Sequence, residues 1–198
     1  MWIELAPELA RFFPDDTAFD QLMDCEGEKF RHVKTRRTLK FERGGKNYFI
    51  KIHRACGWRE VWKNWLGFKR PVTSARMEWR AIDRLQSLGV PTLNVVGRGI
   101  RGKAPANQES FVVTEALEGM ISLEQLTQRW GELPARQRML LKRELISQVA
   151  HIAKTIHRNG LNHRDFYLCH FLVKDRDWSQ WQPSQSLVLH LIDLHRMQ

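Results

Sequence analysis

The chain has no apolar run long enough to cross a membrane as a helix. Cysteine is scarce. Cys25, Cys56 and Cys169 are odd in number and show no Cys-x-x-Cys spacing, which argues against a disulfide framework or a structural zinc site. There is no internal repeat and no low-complexity tract. The first 28 residues lack the basic and apolar regions of a signal peptide, so a cytoplasmic protein is expected. What remains is a globular composition: 198 residues, 42% hydrophobic and 27% charged. That length suits one large domain or two small lobes sharing a cleft, and that composition argues against intrinsic disorder.

The net charge of +10 is unevenly spread. Residues 1–30 carry 8 Asp/Glu against 2 Lys/Arg, and read as an acidic extension. Residues 31–103 carry 19 Lys/Arg against 4 Asp/Glu, while residues 104–198 are nearly balanced at 11 against 10. A basic block of this kind faces something anionic: phosphate, nucleic acid, a membrane surface or an acidic protein. Trp58, Trp62, Trp65 and Leu66 recur there at helical spacing among Arg59, Lys63, Lys69 and Arg70. This suits a helix lying in a membrane interface. It equally suits tryptophans packed on the fold with solvated bases around them, and tryptophan faces can also stack on sugar rings.

Strand patterns dominate the first half. Arg37 to Phe41 alternates, Arg43-Gly-Gly-Lys46 reads as a hairpin turn, and Tyr48 to His53 follows as its partner. Met77, Ala81, Ile82, Leu85 and Leu88 predict a helix stopped by Gly89 and Pro91. Leu93–Val96 and Ser110–Glu115 predict two further strands. Beyond a seam near Ala116 to Met120 the pattern turns helical. Ser122 and Gln125 form a capping box. Leu140, Leu141, Leu145, Val149, Ile152 and Ile156 predict a long helix ending at Gly160. Phe171–Val173 and Leu187–Ile192 read as short strands.

Between the long helix and the first of these strands lies Asn162-His-Arg-Asp-Phe-Tyr-Leu-Cys-His170. This resembles the catalytic loop of eukaryotic-type kinases, where the Asp accepts or orients the proton of the attacking hydroxyl and a residue five positions later binds metal. The matching positions are Asp165 and His170. Ile192-Asp-Leu-His195 stands where such kinases carry Asp-Phe-Gly, and a carboxylate there holds magnesium against nucleotide phosphates. Tyr48-Phe-Ile-Lys51 resembles the strand that offers Lys to the α- and β-phosphates. Glu78 on the next helix is placed to pair with Lys51, and Val112-Val-Thr-Glu115 resembles the hinge strand that holds adenine. Each signal is weak alone; five in the right order on the right elements are not.

Within kinase-like proteins, His163-Arg-Asp-Phe-Tyr-Leu-Cys-His-Phe171 and Ile192-Asp-Leu-His-Arg196 resemble the lipopolysaccharide core heptose kinases, the WaaP/RfaP type. So do Tyr48-Phe-Ile-Lys-Ile-His53, Glu78-Trp-Arg-Ala-Ile82 and Gln108-Glu-Ser-Phe111. The resemblance covers roughly residues 30 to 198. It implies an α+β, protein-kinase-like two-lobe fold: an N-lobe over 31–118 and a C-lobe over 119–198, incomplete because family members continue with further helices. It implies a Gram-negative enzyme using ATP and Mg2+ to phosphorylate the first heptose of the inner core, carried on Kdo and lipid A, at its 4-position. It also implies site roles: Asp165 as catalytic carboxylate, Asp193 and His170 at the metal, Lys51 on phosphates, Glu78 positioning Lys51, and the Glu115 region on adenine. Such an enzyme would work peripherally at the inner leaflet of the cytoplasmic membrane.

One departure is the absence of a Gly-rich phosphate loop. Lys34-Thr-Arg-Arg37 stands there instead, either covering phosphates by charge or forming a solvated turn. Three rivals stay open: a kinase acting on another small molecule or on protein, a non-catalytic kinase-like binding module, and nucleic-acid binding through the basic block. The last has aromatic–basic mixing but no recognisable motif, so nucleic acid is disfavoured. An acidic protein such as acyl carrier protein is a further candidate for the basic face.

Overall fold

The computed structural model describes residues 1–33, 35–58 and 74–197. The chain divides into two compact units, Met1–Arg80 with Asn94–Ala116, and Ala81–Leu93 with Leu117–Gln198. The tryptophan-rich segment beyond Trp58, and Lys34, lie outside the described residues.

The first unit is built on a six-stranded antiparallel sheet in the order β1-β5-β6-β4-β3-β2. Its strands are β1 (Trp2–Leu5), β2 (Glu28–Val33), β3 (Arg36–Arg43), β4 (Lys46–His53), β5 (Val95–Arg101) and β6 (Glu109–Glu115). The β3–β4 hairpin forms where the Gly-Gly pair predicts it. Arg43 pairs with Lys46, and Gly44 and Gly45 take the positive φ values, 59° and 74°, that a two-residue turn of this hand requires.

Alternation along β4 sorts its residues. Ile50 and Ile52 are fully buried in the main core with Leu39, Phe41, Phe111 and Val113. Residues 1–30, read above as an extension, close that core. Helix α1 (Pro7–Ala10) contributes Leu9, helix α2 (Ala18–Met23) contributes Phe19, Leu22 and Met23, and Phe13 lies between them. Two bare positions on β5 make this packing possible. A Cβ on Gly97 would stand 2.9 Å from Leu5, and one on Gly99 only 2.6 Å from the Phe111 ring. Arg37 is tied to the same side: its guanidinium donates to the Met23 carbonyl at the end of α2, at 2.8 Å. That contact caps a helix C-terminus, a use that neither phosphate covering nor a solvated turn anticipates.

Helix α3 (Arg76–Ser87) covers the smaller core, where Ala75 and Trp79 meet Val112. Its inward stripe is Glu78, Trp79, Ile82 and Leu85, all buried. Met77 was expected on that stripe but is 40% exposed. The reason is that Ala75, Glu78, Ile82 and Leu85, spaced three and four apart, turn Met77 outward.

In the second unit, helix α4 (Leu123–Gln128) carries the expected capping box. The Ser122 hydroxyl accepts from Gln125 N at 3.1 Å and the Gln125 side chain accepts from Ser122 N at 2.9 Å. Helix α5 (Ala135–Arg158) buries Leu141, Leu145, Ile152 and Ile156. Met139 and Ile146 remain exposed on it, and Ile146 lines an apolar cavity of about 560 Å³ with Leu145, Val149, Trp130 and Leu168. A small antiparallel sheet, β7 (Met120–Ser122), β8 (Phe171–Lys174) and β9 (His190–Leu191), completes the unit with helix α6 (Asp175–Ser179). The strand expected over Leu187–Ile192 thus shortens to two paired residues. Leu187, Leu189 and Leu191 are buried and Val188 is exposed, so the alternation reports burial, while β8 supplies ladder partners only to His190 and Leu191.

Candidate active site

In the first unit, Lys51 sits on β4 opposite Thr38 and Val112. Paired residues share a sheet face, so Lys51 points to the side covered by α3. The start of α3 is pinned there by serines. The Ser110 hydroxyl on β6 accepts from Ala75 N at 3.0 Å, and the Ser74 hydroxyl donates to Ser110 at 3.2 Å while accepting from Arg76 N at 3.1 Å. With its first turn held against β6, α3 delivers Glu78 to Lys51. The ammonium donates to Glu78 Oε1 at 2.6 Å, and Glu78 is only 2% exposed. Glu115 ends β6. Its carboxylate accepts from the Asn94 amide at 2.7 Å and lies 3.6 Å from Lys46.

In the second unit, a ladder joins the loop carrying Asp165 to the strand leading to Asp193. Phe171 pairs with Leu191, and Ile192 N donates to the His170 carbonyl at 3.0 Å. His170 therefore comes to stand beside Asp193. The loop is folded on itself around the Asp165 carbonyl, which accepts from Tyr167 N at 2.8 Å and from His170 Nδ1 at 2.6 Å. A carbonyl only accepts, so Nδ1 carries a proton, and the other ring nitrogen is Nε2. That nitrogen lies 3.5 Å from Asp193 Oδ2.

His163 closes the loop from below. It is buried, its Nε2 lies 3.1 Å from the Ile192 carbonyl, and its backbone bridges to Met197. Burial chiefly, with His170 adding to it, holds its imidazole below the ordinary value, against the pull of the Ile192 carbonyl. A neutral ring with its proton on Nε2 follows, which agrees with a buried Nδ1 that has no partner. Phe166 packs edge-on against fully buried Phe171 at 4.8 Å.

Asp193 itself adopts φ 59°, ψ 54°, the only non-glycine residue with positive φ among those described. His195, to which the sequence reading assigned no role, places Nδ1 2.8 Å from Asp193 Oδ1. The spacing Asp-x-His in Asp193-Leu-His195 is the signal that could have found it.

The pattern of a Lys–Glu pair in one unit and of Asp165, His170 and Asp193 in the other can be compared with known proteins. Residues 20–198 match the lipopolysaccharide kinase (Kdo/WaaP) family. The chain belongs to this family. It is 43% identical over 199 residues to lipopolysaccharide core heptose(I) kinase WaaP of Pseudomonas aeruginosa, covering all of this chain and 72% of that protein. It is 40% identical over 196 residues to the WaaP of Escherichia coli K12, covering 99% of this chain and again 72% of the relative. A solved structure described as WaaP in complex with acyl carrier protein superposes with a TM-score of 0.76 at 35% identity, over 100% of this chain and 73% of that one. The fold is therefore the kinase-like fold of the family, and the chain is a kinase of lipopolysaccharide core biosynthesis. Among the described residues, no helix is long and apolar enough to cross a membrane.

Proposed function

We propose that the chain transfers the γ-phosphate of ATP to the first heptose of the lipopolysaccharide inner core, borne on Kdo and lipid A. The observation that carries this reading is 43% identity to a heptose(I) kinase across the entire chain. The site residues give it a mechanism. Lys51 offers its ammonium to the α- and β-phosphates, and Glu78 holds Lys51 in place. The backbone around Glu115 receives adenine. Asp165 orients the acceptor hydroxyl and takes its proton as the new O–P bond forms and the bond to ADP breaks. Asp193, with His170 beside it, would hold Mg2+, which when bound neutralises phosphate charge. The Asp193 carboxylate fits that ion, since Mg2+ is commonly held by one or two carboxylates plus substrate phosphates; the His170 imidazole is not an oxygen donor and stands beside it. Catalysis then rests on positioning and electrostatics.

Acyl carrier protein fits as a partner. The solved relative was captured with it, and the surplus of bases over residues 31–103 suits an acidic protein. Work at the inner leaflet of the cytoplasmic membrane suits a lipid-anchored acceptor. The test is Mg2+-dependent transfer of labelled phosphate from ATP to unphosphorylated core lipopolysaccharide, with Asp165→Asn alongside. Transfer that disappears in the variant supports the reading. Transfer that persists at full rate removes Asp165 from it, and no transfer by the parent chain removes the reading itself.

A further inference from the structure

We propose that His195 is a positioning residue that fixes the Asp193 carboxylate for cation binding. The inference rests on the reading of Asp193 as the carboxylate that meets the metal.

The two oxygens of Asp193 have different neighbours. Oδ1 lies 2.8 Å from His195 Nδ1, and Oδ2 faces His170 Nε2 at 3.5 Å. A carboxylate oxygen only accepts, so His195 Nδ1 carries the proton of the shorter contact. Holding Oδ1 in this way limits rotation of the carboxylate, with Oδ2 on the side of His170 Nε2. Ligating carboxylates are commonly oriented by hydrogen bonds from residues that do not touch the metal.

The anchoring of His195 supports the assignment. It lies in a single 3-10 turn over Leu194–Arg196 that begins at Asp193. Leu194 is fully buried, and Met197 is buried and bridged to His163. The turn is therefore held on both sides of the histidine. Protein kinases place glycine at this third position, which offers no side chain to the preceding carboxylate; here a ring fills the same place. Only the donated hydrogen bond is needed, so an asparagine amide that reaches the same oxygen should substitute.

The experiment compares the parent chain with His195→Ala, His195→Asn and Asp193→Asn. Two readouts are taken. One is the Mg2+ concentration giving half-maximal transfer at saturating ATP. The other is Mn2+ binding in the presence of a non-hydrolysable ATP analogue, followed by electron paramagnetic resonance, which needs no turnover. His195→Ala should weaken both by roughly tenfold to a hundredfold, with maximal transfer largely recovered at high Mg2+. His195→Asn should fall within about threefold of the parent, a small fraction of that loss. Unchanged metal dependence in His195→Ala, with Asp193→Asn impaired, overturns the inference and leaves the metal reading intact. Unchanged metal dependence in Asp193→Asn overturns that reading and the inference with it. Equal impairment of both His195 variants, with equally lowered melting temperatures, makes the residue merely structural and also overturns the inference.

Discussion

The two units hold their charged groups by opposite means. In the first, Lys51 and Glu78 stand on a central strand and on a helix, and strand register with a serine-pinned helix start brings them together. In the second, Asp165 stands on a loop, His170 at the end of a 3-10 turn and Asp193 just beyond a two-residue strand, and their arrangement depends on side chains gripping backbone: His170 on the Asp165 carbonyl, His163 on the Ile192 carbonyl. Regular elements place a pair by repetition. Loops have to place each group by a contact of its own. Damage to the first half should therefore appear as lost stability, and damage to the second as lost chemistry in a protein that still folds.

The largest expected effect tests the second half. Asp165→Asn should cut transfer by roughly 10²- to 10⁴-fold, the usual worth of general-base catalysis, with an unchanged melting temperature. A large fall in melting temperature would blur the contrast between the units. In the first half, Lys51→Met strips the cation from a buried carboxylate. Unfolding in urea should show a loss of about 3–5 kcal/mol, and Lys51→Met/Glu78→Gln should recover much of it while transfer stays absent. Full stability in the single variant would mean that the pair is not what holds α3. Gly99→Ala drives a methyl into the Phe111 ring and should cost about 1–3 kcal/mol by overpacking, read from the same urea transitions. A neutral result would show that α1 and α2 ride loosely on the sheet.

The smallest effect is a pH slope. Burial first, then Lys174, holds His190 below its ordinary value of 6.5, and burial does the same to His163. The unfolded chain therefore binds more protons there, so stability is complete above about pH 6.5 and falls as pH drops below it. Melting temperatures between pH 8 and pH 5 should show this, and His190→Asn should flatten the slope. An identical slope in the variant would assign it to other groups.

How much of this was legible depends on the same contrast. The Gly-Gly hairpin, the capping box and the long helix declare themselves because each is set by local chemistry or by a sustained period. Lys51, Glu78, Asp165, His170 and Asp193 are singled out by spacing and order, and of the proximities this implies the structure shows Lys51 at Glu78 and His170 at Asp193. The contribution of residues 1–23 was hidden. Their helices span only four and six residues, too short for periodicity to register. The clue lay far away, in two glycines alternating on β5. Met77 misled because an i, i+4 apolar series can be drawn through it, although the stripe that is buried runs through a carboxylate.

The left-handed backbone at Asp193 sets thermostability against activity. Positive φ costs most residues about 1–2 kcal/mol, an aspartate less, and glycine almost nothing. A selection for heat resistance alone would be offered Asp193→Gly as a relaxation, and would return a protein stripped of the carboxylate proposed above to hold Mg2+. Strained positions of this kind are where stability and activity part company.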